Sequence, residues 1–269
     1  MAYAIPIILV VAIGLIAGIV LTVASKVMAV HVDETILLLR EVLPGANCGG
    51  CGFAGCDDYA TALFEDETIK PNQCTPGGVS TGMALAEILG VEYEGAADKF
   101  AIIKCAGSLA KTNNVMNYQG WQSCLASKAF YRGRGLCDKS CLALGDCAKV
   151  CNYGAIAMEN GLAVINRAKC VGCGACTKVC PNDLIEVVPG NTRIVAACST
   201  DKVGAHTKQL CDIGCIACNL CVKTCKFEAI EVVNNKAVID YTKCKNCGLC
   251  AKVCPRHVIE VLPKRIIRA

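Results

Sequence analysis

The segment Cys170–Pro181 reads CVGCGACTKVCP, and the segment Cys244–Pro255 reads CKNCGLCAKVCP. In each, three cysteines follow one another at intervals of three residues, and a fourth comes four residues later, directly before a proline. Three cysteines at this spacing wrap one cubane [4Fe–4S] cluster, and the fourth reaches a second cluster. Zinc sites use C-x2-C pairs that close on one tetrahedral ion, which leaves the third cysteine of each run unexplained. The two segments therefore predict [4Fe–4S] binding.

The chain contains two copies of one cysteine-rich module. At an offset of 74 residues, nine pairs of cysteines coincide, among them Cys124 with Cys198. The sequence between the cysteines repeats as well, since Ala163–Ile165 matches Ala237–Ile239. Similarity at one fixed offset indicates a duplicated structural unit. It predicts two tandem modules similar to bacterial two-cluster ferredoxins, at residues 137–190 and 211–269, with a connecting segment at 191–210.

The crossover of the fourth cysteine assigns the ligands of these modules. Module 2 has the complete pattern, with one cluster on Cys215, Cys218, Cys221 and Cys254 and another on Cys225, Cys244, Cys247 and Cys250. Module 1 holds one cluster on Cys151, Cys170, Cys173 and Cys176. Its other cluster departs from the pattern, because Leu144 stands at the position of Cys218. Cys137 is the natural replacement, which gives the ligands Cys137, Cys141, Cys147 and Cys180.

Four further cysteines, Cys48, Cys51, Cys56 and Cys74, lie in a predicted small, mainly helical domain at residues 33–98. Its helices are expected at Asp33–Leu43, Asp57–Glu67 and Ser80–Gly90, the first capped by Asp33. The glycines between the cysteines let the backbone approach a cluster closely. A fifth [4Fe–4S] cluster is expected here, although on spacing alone zinc remains an alternative.

The last four cysteines, Cys105, Cys124, Cys198 and Cys211, have no assigned cluster. Four is the ligand number of a sixth [4Fe–4S] cluster, which would lie between the two modules. Alternatively, Cys198 and Cys211 are remnants of the duplication that pack as small apolar side chains. Both interpretations stay open, and residues 99–136, which carry two of these cysteines, are predicted to be a connecting segment.

The N-terminus begins with an apolar run, Ile5–Ala24, whose length matches the hydrocarbon core of a bilayer. It predicts a transmembrane anchor at residues 1–30. The first basic residue, Lys26, follows the run, which places the bulk of the chain on the cytoplasmic side of the cell membrane. A reducing compartment disfavours disulfides for the 24 cysteines and favours metal. The expected fold class is α+β: one transmembrane helix, the small cluster domain and two ferredoxin-like modules.

Two N-terminal motifs, Leu43–Gly52 (LPGANCGGCG) and Cys74–Gly78 (CTPGG), followed by ferredoxin repeats, resemble the B-subunit family of the Rnf complex. The resemblance covers essentially the whole chain and is closest to the longer members found in anaerobes. It implies a cluster-bearing component of a membrane-bound ferredoxin:NAD⁺ oxidoreductase that couples electron transfer to Na⁺ or H⁺ translocation. Soluble ferredoxin would be the electron donor, and other membrane and cytoplasmic subunits would be the partners.

The charge distribution is strongly asymmetric. Residues 33–100 carry 12 Asp and Glu against 3 Lys and Arg, a net charge of −9, whereas residues 200–269 carry 12 Lys and Arg against 6 Asp and Glu, a net charge of +6. Ferredoxins are typically acidic, so the basic module would attract them. Five lysines beside cluster cysteines are the candidate docking residues: Lys223, Lys226, Lys243, Lys245 and Lys252. The same charges would also offset the negative thiolate-ligated clusters.

No G-x-G-x-x-G motif opens a helix after a strand, so no NAD site is expected on this chain. No catalytic residues and no nucleic-acid partner are predicted either. Two alternatives to ion-coupled NAD⁺ reduction remain at this point. The same electron-transfer chain could reduce an iron–sulfur transcription regulator, or the protein could be a zinc-binding membrane scaffold without redox activity.

Overall fold

The computed structural model describes residues 4–27, 33–95 and 98–264 of the 269-residue chain. Its first helix, α1, spans Ala4–Val27. The predicted transmembrane anchor at residues 1–30 is wrong, because no helix within the described ranges has the length and apolarity that crossing a bilayer requires. Residues 1–3 and 28–30 of the predicted anchor lie outside the described residues.

The N-terminal domain consists of three helices and one 3₁₀ turn around a small core. They are α2 at Glu34–Val42, α3 at Cys56–Glu65, the turn at Pro71–Gln73 and α4 at Gly78–Leu89. The three predicted helices are confirmed, with ends shifted by one or two residues. The Asp33 side chain caps α2 as expected, since it accepts a hydrogen bond of 2.9 Å from the Thr35 N–H. Buried Leu39, Tyr59 and Leu85 pack directly against two of the cysteines.

Each ferredoxin-like module contains a two-stranded hairpin and two short helices. In module 1 these are β2 (Ile156–Glu159), β3 (Leu162–Ile165), α6 (Asp146–Lys149) and α7 (Ala175–Val179). In module 2 they are β6 (Ile230–Val233), β7 (Lys236–Ile239), α9 (Leu220–Thr224) and α10 (Leu249–Lys252). The antiparallel pairing begins with Ile156 opposite Ile165 and with Ile230 opposite Ile239. The sequence repeat of 74 residues is therefore also a repeat in strand register.

A second strand pair completes each module, and one strand of each pair comes from a segment that the sequence predicts to be a connection. Strand β1 (Lys99–Ile103) pairs with β4 (Ile185–Pro189), and β5 (Ile194–Ala196) pairs with β8 (Ile259–Val261). The same segments contain helices α5 (Cys124–Tyr131) and α8 (Gly204–Leu210). Segments 99–136 and 191–210 thus supply the outer strands that hold each module closed.

The two modules meet in a small core of their own. Phe100 and Ile102 of β1, Val188 of β4 and Val195 of β5 are all buried in it. The guanidinium of Arg167 lies 4.2 Å from the centre of the Phe100 ring, a cation–π contact. One Arg167 nitrogen also donates a hydrogen bond of 2.8 Å to the Thr192 carbonyl. The position of one module against the other is therefore fixed by packing and not only by the connecting chain.

We expect the substitution Phe100→Ala to destabilise this intermodule core. Phe100 is 0 % exposed, and truncating a buried phenylalanine costs about 3–5 kcal/mol. The temperature at which cluster absorbance is lost during anaerobic heating should fall by on the order of 10 °C. Phe130→Ala is the matched control, because Phe130 is 78 % exposed and its truncation should leave the midpoint nearly unchanged. Equal midpoints for the two variants would show that Phe100 does not hold the modules together.

Candidate metal centres

None of the 24 cysteines forms a disulfide. The cavities that they line, and the cysteines that shift one another's pKa or pack together, group them into six sets of four. We number these sets site 1 to site 6 in the order in which they follow one another in space. Three of the sets each line a small cavity of their own. The cavities belong to site 3 (Cys124, Cys141, Cys147, Cys180), site 4 (Cys105, Cys137, Cys198, Cys211) and site 5 (Cys215, Cys218, Cys221, Cys254).

Site 5 contains the four cysteines that the sequence assigns to one cluster. Helix α9 carries Cys221, and Cys215 and Cys218 lie in the loop before it. The fourth, Cys254, comes from the end of the following C-x2-C run, as the crossover predicts. Burial is the main cause that raises the pKa of the Cys221 thiol to about 11, and the nearby Cys215 and Cys218 contribute to this rise. Metal binding would relieve this cost, because the ligand is the thiolate.

Site 3 differs from the sequence assignment by one cysteine. Its cavity is lined by Cys124, and Cys137, which the sequence places here, lines the cavity of site 4 instead. Electrostatics gives the same grouping. Burial is the main cause that raises the pKa of the Cys147 thiol to about 12, and Cys141, Cys124 and Cys180 contribute to this rise. The structure thus supplies Cys124 where the repeat has lost its cysteine.

Asp146 links helix α5, which carries Cys124, to helix α6, which carries Cys147. Its Oδ2 accepts hydrogen bonds of 2.8 Å from the Cys124 N–H and 2.8 Å from the Ser123 hydroxyl. It also accepts from the Leu125 N–H at 3.3 Å, so one carboxylate satisfies the first amides of α5. Because Asp146 begins α6 and directly precedes Cys147, the two cysteines are held at a fixed separation.

An insertion in module 1 explains the exchange of ligands. Strand β1 ends two residues before Cys105, and β5 ends two residues before Cys198. Cys105 is therefore the structural counterpart of Cys198, although the offset of 74 pairs Cys198 with Cys124. Cys105 and Cys137 are 32 positions apart in sequence, whereas Cys198 and Cys211 are 13 apart, so module 1 has 19 extra residues. Those residues include α5 and Cys124.

The signal for this correspondence is present in the sequence. Phe100–Cys105 reads FAIIKC and Arg193–Cys198 reads RIVAAC, each an apolar strand that ends near a cysteine. Matching hydrogen bonds follow the two strands: the Lys104 N–H donates to the Leu184 carbonyl, and the Ala197 N–H donates to the Val258 carbonyl. A fixed offset across the whole module cannot detect these strands, because the insertion shifts the relationship to 93 residues.

Site 2 and site 6 contain the predicted remaining cysteines of the two modules. At site 2, burial is the main cause that raises the pKa of the Cys176 thiol to about 12, and Cys170, Cys173 and Cys151 contribute to this rise. At site 6, burial raises the pKa of the Cys250 thiol, and Cys244 and Cys247 add to it. The fourth ligand receives a backbone hydrogen bond of 3.4 Å in both, from the Ala155 N–H to Cys151 Sγ and from the Ala229 N–H to Cys225 Sγ.

Site 1 is the four-cysteine set of the N-terminal domain. Burial raises the pKa of the Cys74 thiol, the Gly77 amide opposes this, and Cys56, Cys51 and Cys48 raise it again. Asn47 orders the loop, since its Oδ1 accepts a hydrogen bond of 2.8 Å from the Cys56 N–H. The backbone amides of this glycine-rich loop can approach a cluster closely.

Site 1 lies directly against site 2. A Cβ placed on Gly50 would come within 2.8 Å of the Cys173 carbonyl oxygen, so only glycine allows the two cluster loops to touch. Tyr153 lies near cysteines of both sets. Burial is the main cause that raises the pKa of its hydroxyl to about 12, and Cys48, Cys173, Cys74 and Cys151 contribute to this rise. The N-terminal domain therefore presents its cysteines to those of module 1.

The donor sets fit [4Fe–4S] clusters better than a single ion. Each thiolate of a cubane binds a different iron atom, and three of the four ligands can follow one another at C-x2-C-x2-C spacing while the fourth comes from a distant segment. Zinc sites instead use C-x2-C pairs that close on one ion. The sets of sites 2, 5 and 6 have the cubane pattern in full.

Three family models match separate parts of the chain. Residues 43–76 match an Fe-S cluster family, residues 163–186 match a 4Fe-4S binding domain, and residues 214–260 match a 4Fe-4S dicluster domain. These matches cover cysteines of site 1, module 1 and module 2, so the chain binds iron–sulfur clusters.

Curated relatives cover most of the chain. It is 38 % identical to the B subunit of the Na⁺-translocating ferredoxin:NAD⁺ oxidoreductase complex of Acetobacterium woodii, over 86 % of this chain and 70 % of that protein. It is 35 % identical to the B subunit of the proton-translocating ferredoxin:NAD⁺ oxidoreductase complex of Clostridium ljungdahlii, over 86 % and 82 %. It is 34 % identical to the B subunit of the ion-translocating oxidoreductase complex of Methanosarcina acetivorans, over 86 % and 88 %.

Paired alanine variants test the assignment of Cys124. If Cys124 and Cys141 share site 3, the double variant Cys124→Ala/Cys141→Ala should lose about four iron atoms per chain, the content of one cubane. The double variant Cys137→Ala/Cys141→Ala should lose more iron, because it removes ligands from two different sites. Alanine is preferred to serine because a serine oxygen can still bind iron. Iron and sulfide are counted on anaerobically purified protein. If Cys124→Ala/Cys141→Ala loses more iron than Cys137→Ala/Cys141→Ala, Cys137 and not Cys124 is a ligand of site 3.

Proposed function

The chain belongs to the B-subunit family of ion-translocating ferredoxin:NAD⁺ oxidoreductase complexes, and we propose that it accepts electrons from reduced ferredoxin and relays them toward the subunits that carry flavin and NAD⁺. The observation that carries this proposal is the row of four-cysteine sites that runs from module 2 through module 1 to the N-terminal domain. When bound, [4Fe–4S] clusters supply one-electron carriers. Within the complex, this electron transfer is coupled to Na⁺ or H⁺ translocation.

The protein's own residues determine the order of the carriers. Module 1 places sites 2 and 3 in one core, where Cys176 contributes to the raised pKa of the Cys147 thiol. Module 2 likewise packs the cysteines of sites 5 and 6 around one core. Gly50 then brings site 1 against site 2. We assign a [4Fe–4S] cluster to each of the six sites. Site 4 lies between the two modules, where the Cys215 N–H of site 5 donates a hydrogen bond of 3.3 Å to Cys198 Sγ.

Module 2 is the proposed docking surface for ferredoxin. Cys218 of site 5 and Cys247 of site 6 are exposed, whereas Cys173, at the equivalent position in site 2, is half-buried and its backbone lies against Gly50 of the N-terminal domain. All five candidate docking lysines of module 2 are exposed. Lys243 forms an ion pair with Asp240 at 3.8 Å. The other four have no ion pair among the described residues, so their charges are available to an acidic partner.

The direction of flow follows from this placement. Electrons enter where cluster ligands reach the surface of the basic module, and they leave through site 1 in the acidic N-terminal domain, away from the donor. The complex is associated with the membrane, and we propose that the cluster-bearing part of this chain lies on its cytoplasmic side. A reducing compartment agrees with 24 free thiols.

We expect the rate of ferredoxin oxidation by the assembled complex to fall as salt is raised, because screening weakens attraction between exposed charges. The double variant Lys223→Glu/Lys245→Glu should lower the bimolecular rate at low salt by on the order of tenfold, since electrostatic steering changes association rates by about 10–10³. The rates are measured by stopped-flow absorbance at several ionic strengths, with the iron content checked for each variant.

Lys169→Glu is the matched control for this experiment. Lys169 is also exposed and also precedes a cluster cysteine, but it belongs to module 1. With docking on module 2, we expect a nearly unchanged rate for this variant. If the rate of ferredoxin oxidation changes neither with salt nor in Lys223→Glu/Lys245→Glu, ferredoxin does not dock on module 2. The same follows if Lys169→Glu lowers the rate more than that double variant does.

A further inference from the structure

The segment inserted in module 1 carries an aromatic and apolar surface whose side chains belong to no cluster site. We call it the insertion surface and define it by Val115, Trp121, Leu125, Phe130 and Tyr131. We propose that it is a permanent interface with another subunit of the complex, and that the contacting face of that subunit combines apolar side chains with Asp and Glu. The proposal rests on the membership of the chain in a family of complex subunits, and on no step of the electron relay.

The side chains of the insertion surface are unusually exposed for their size. Trp121, the one tryptophan of the chain, is 80 % exposed, and Phe130 is 78 % exposed. Leu125, Val115 and Tyr131 are also more than half exposed. In the part of the chain that the structure describes, no other Phe, Trp or Tyr side chain is exposed to this extent. Large exposed apolar patches mark interaction sites, and aromatic residues dominate the centres of protein interfaces.

Hydrogen bonds and a ring contact hold the insertion surface in one arrangement. The Val115 N–H donates to the Arg134 carbonyl at 2.9 Å, which joins the two ends of the segment. The Tyr118 hydroxyl donates to the Trp121 carbonyl at 3.0 Å. The Tyr118 ring also meets the Tyr131 ring edge-on, with 5.7 Å between the ring centres. A surface that is already ordered loses less conformational freedom on binding than a flexible loop does.

A groove beside these residues can receive apolar side chains of the partner. Its volume is about 430 Å³, and Leu109, Val115, Met116 and Leu142 line it. Among the described residues of the lining, Arg134 alone is charged, and its Nη2 donates to a backbone carbonyl at 2.7 Å. A guanidinium has further N–H donors that can bind a carboxylate. The groove therefore suits an apolar side chain with an acidic neighbour.

The charge of this region also indicates an acidic partner. Residues 99–137 contain six Lys and Arg and no Asp or Glu. The next two carboxylates along the chain, Asp138 and Asp146, are both ion-paired with lysines. Lys111 and Arg132 are exposed, and neither forms an ion pair among the described residues. Complementary charges across an interface favour the correct partner, so the facing surface is expected to be acidic.

Two features favour a protein partner over a lipid surface. Exposed amide side chains, those of Asn117, Gln119 and Gln122, alternate in sequence with the aromatic residues. Amides are costly to place in hydrocarbon, whereas a protein face can hydrogen-bond them. The Nζ atoms of Lys128 and Lys149 both donate to backbone carbonyls, which leaves fewer cations than the cluster of about four to eight that binds anionic lipids.

The apolar character of the insertion surface separates its partner from ferredoxin. Transient redox encounters bury little area, less than about 1,200 Å², whereas obligate interfaces are larger and more hydrophobic. Cys124, the cluster ligand on α5, is half-buried, unlike the exposed Cys218 and Cys247 of module 2. The insertion surface therefore suits a permanent contact between subunits, and module 2 remains the proposed site of the transient one.

Amide hydrogen exchange of the unmodified protein tests where the interface lies. In peptides that cover residues 113–136, we expect exchange to be slower by on the order of tenfold in the detergent-solubilised complex than in the isolated full chain, because covered amides open less often. Vesicles of phosphatidylcholine and phosphatidylglycerol, or purified ferredoxin, added to the isolated chain should leave these peptides unchanged. Unchanged exchange in the complex, or equal slowing by vesicles or by ferredoxin, would overturn the proposal.

A double variant tests the contribution of the aromatic side chains. Trp121→Ala/Phe130→Ala should weaken the binding of this chain to the other subunits, measured by its retention on an affinity-tagged subunit, by about tenfold or more. Its iron content and its temperature of cluster loss should match the wild type, because both side chains are exposed. Val203→Ala/Phe227→Ala is the matched control, since it truncates exposed apolar side chains outside module 1. Wild-type retention of the first variant, or an equal loss in the control, would contradict the interface.

Charge variants test the acidic character of the partner. Lys111→Glu/Arg132→Glu should lower retention more than Lys111→Gln/Arg132→Gln does, because the reversal sets like charges against each other. Equal retention of these two variants would rule out an acidic partner face. Neither retention nor hydrogen exchange requires electron transfer. If both behave as expected while ferredoxin fails to reduce the protein, the relay function is refuted and the interface stands.

Discussion

Four thiolates must converge on each cubane, and no single loop of this chain supplies all four within one module site. In sites 2, 3, 5 and 6, the last ligand comes from a segment that is distant in sequence, and site 3 needs a residue from an inserted helix as well. Ligation therefore ties together parts of the chain that otherwise share little apolar contact. Only 5 % of the residues are aromatic, so the side-chain core alone is small. Cluster binding and folding are thus expected to be strongly coupled.

The same constraint orders the carriers. Within each module, each of the two sites takes its last ligand from the segment that carries ligands of the other site, which keeps the two sites adjacent. Cys105 and Cys198, which follow the outer strands, and the loop cysteines Cys137 and Cys211 meet at site 4. Gly50 allows site 1 to approach site 2 without an intervening side chain. The order of the sites thus follows from the segments that carry their ligands. No further structural element is needed to place the N-terminal domain against the modules.

The parts of the fold that depend on spacing and local signals are predictable from the sequence. The C-x2-C-x2-C-x3-C-P runs identify the modules, and Asp33 and Gly90 mark the ends of helices. The exchange of Cys124 and Cys137 is not predictable from a single repeat offset, because an insertion of 19 residues separates the strand β1 from the rest of module 1. The strand pairs β1–β4 and β5–β8 escape prediction because their partners are distant in sequence. The predicted membrane anchor at residues 1–30 is wrong, since no helix in the described part of the chain is long and apolar enough to cross a bilayer.

A continuous row of six one-electron carriers is tested most directly by a coulometric titration of the anaerobic full-length protein, in which the electrons taken up per chain are counted against potential. We expect about six electrons per chain, one for each [4Fe–4S] cluster. An uptake of five or fewer, on protein with full occupancy of the ferredoxin-type and N-terminal sites, would contradict a sixth carrier between the modules.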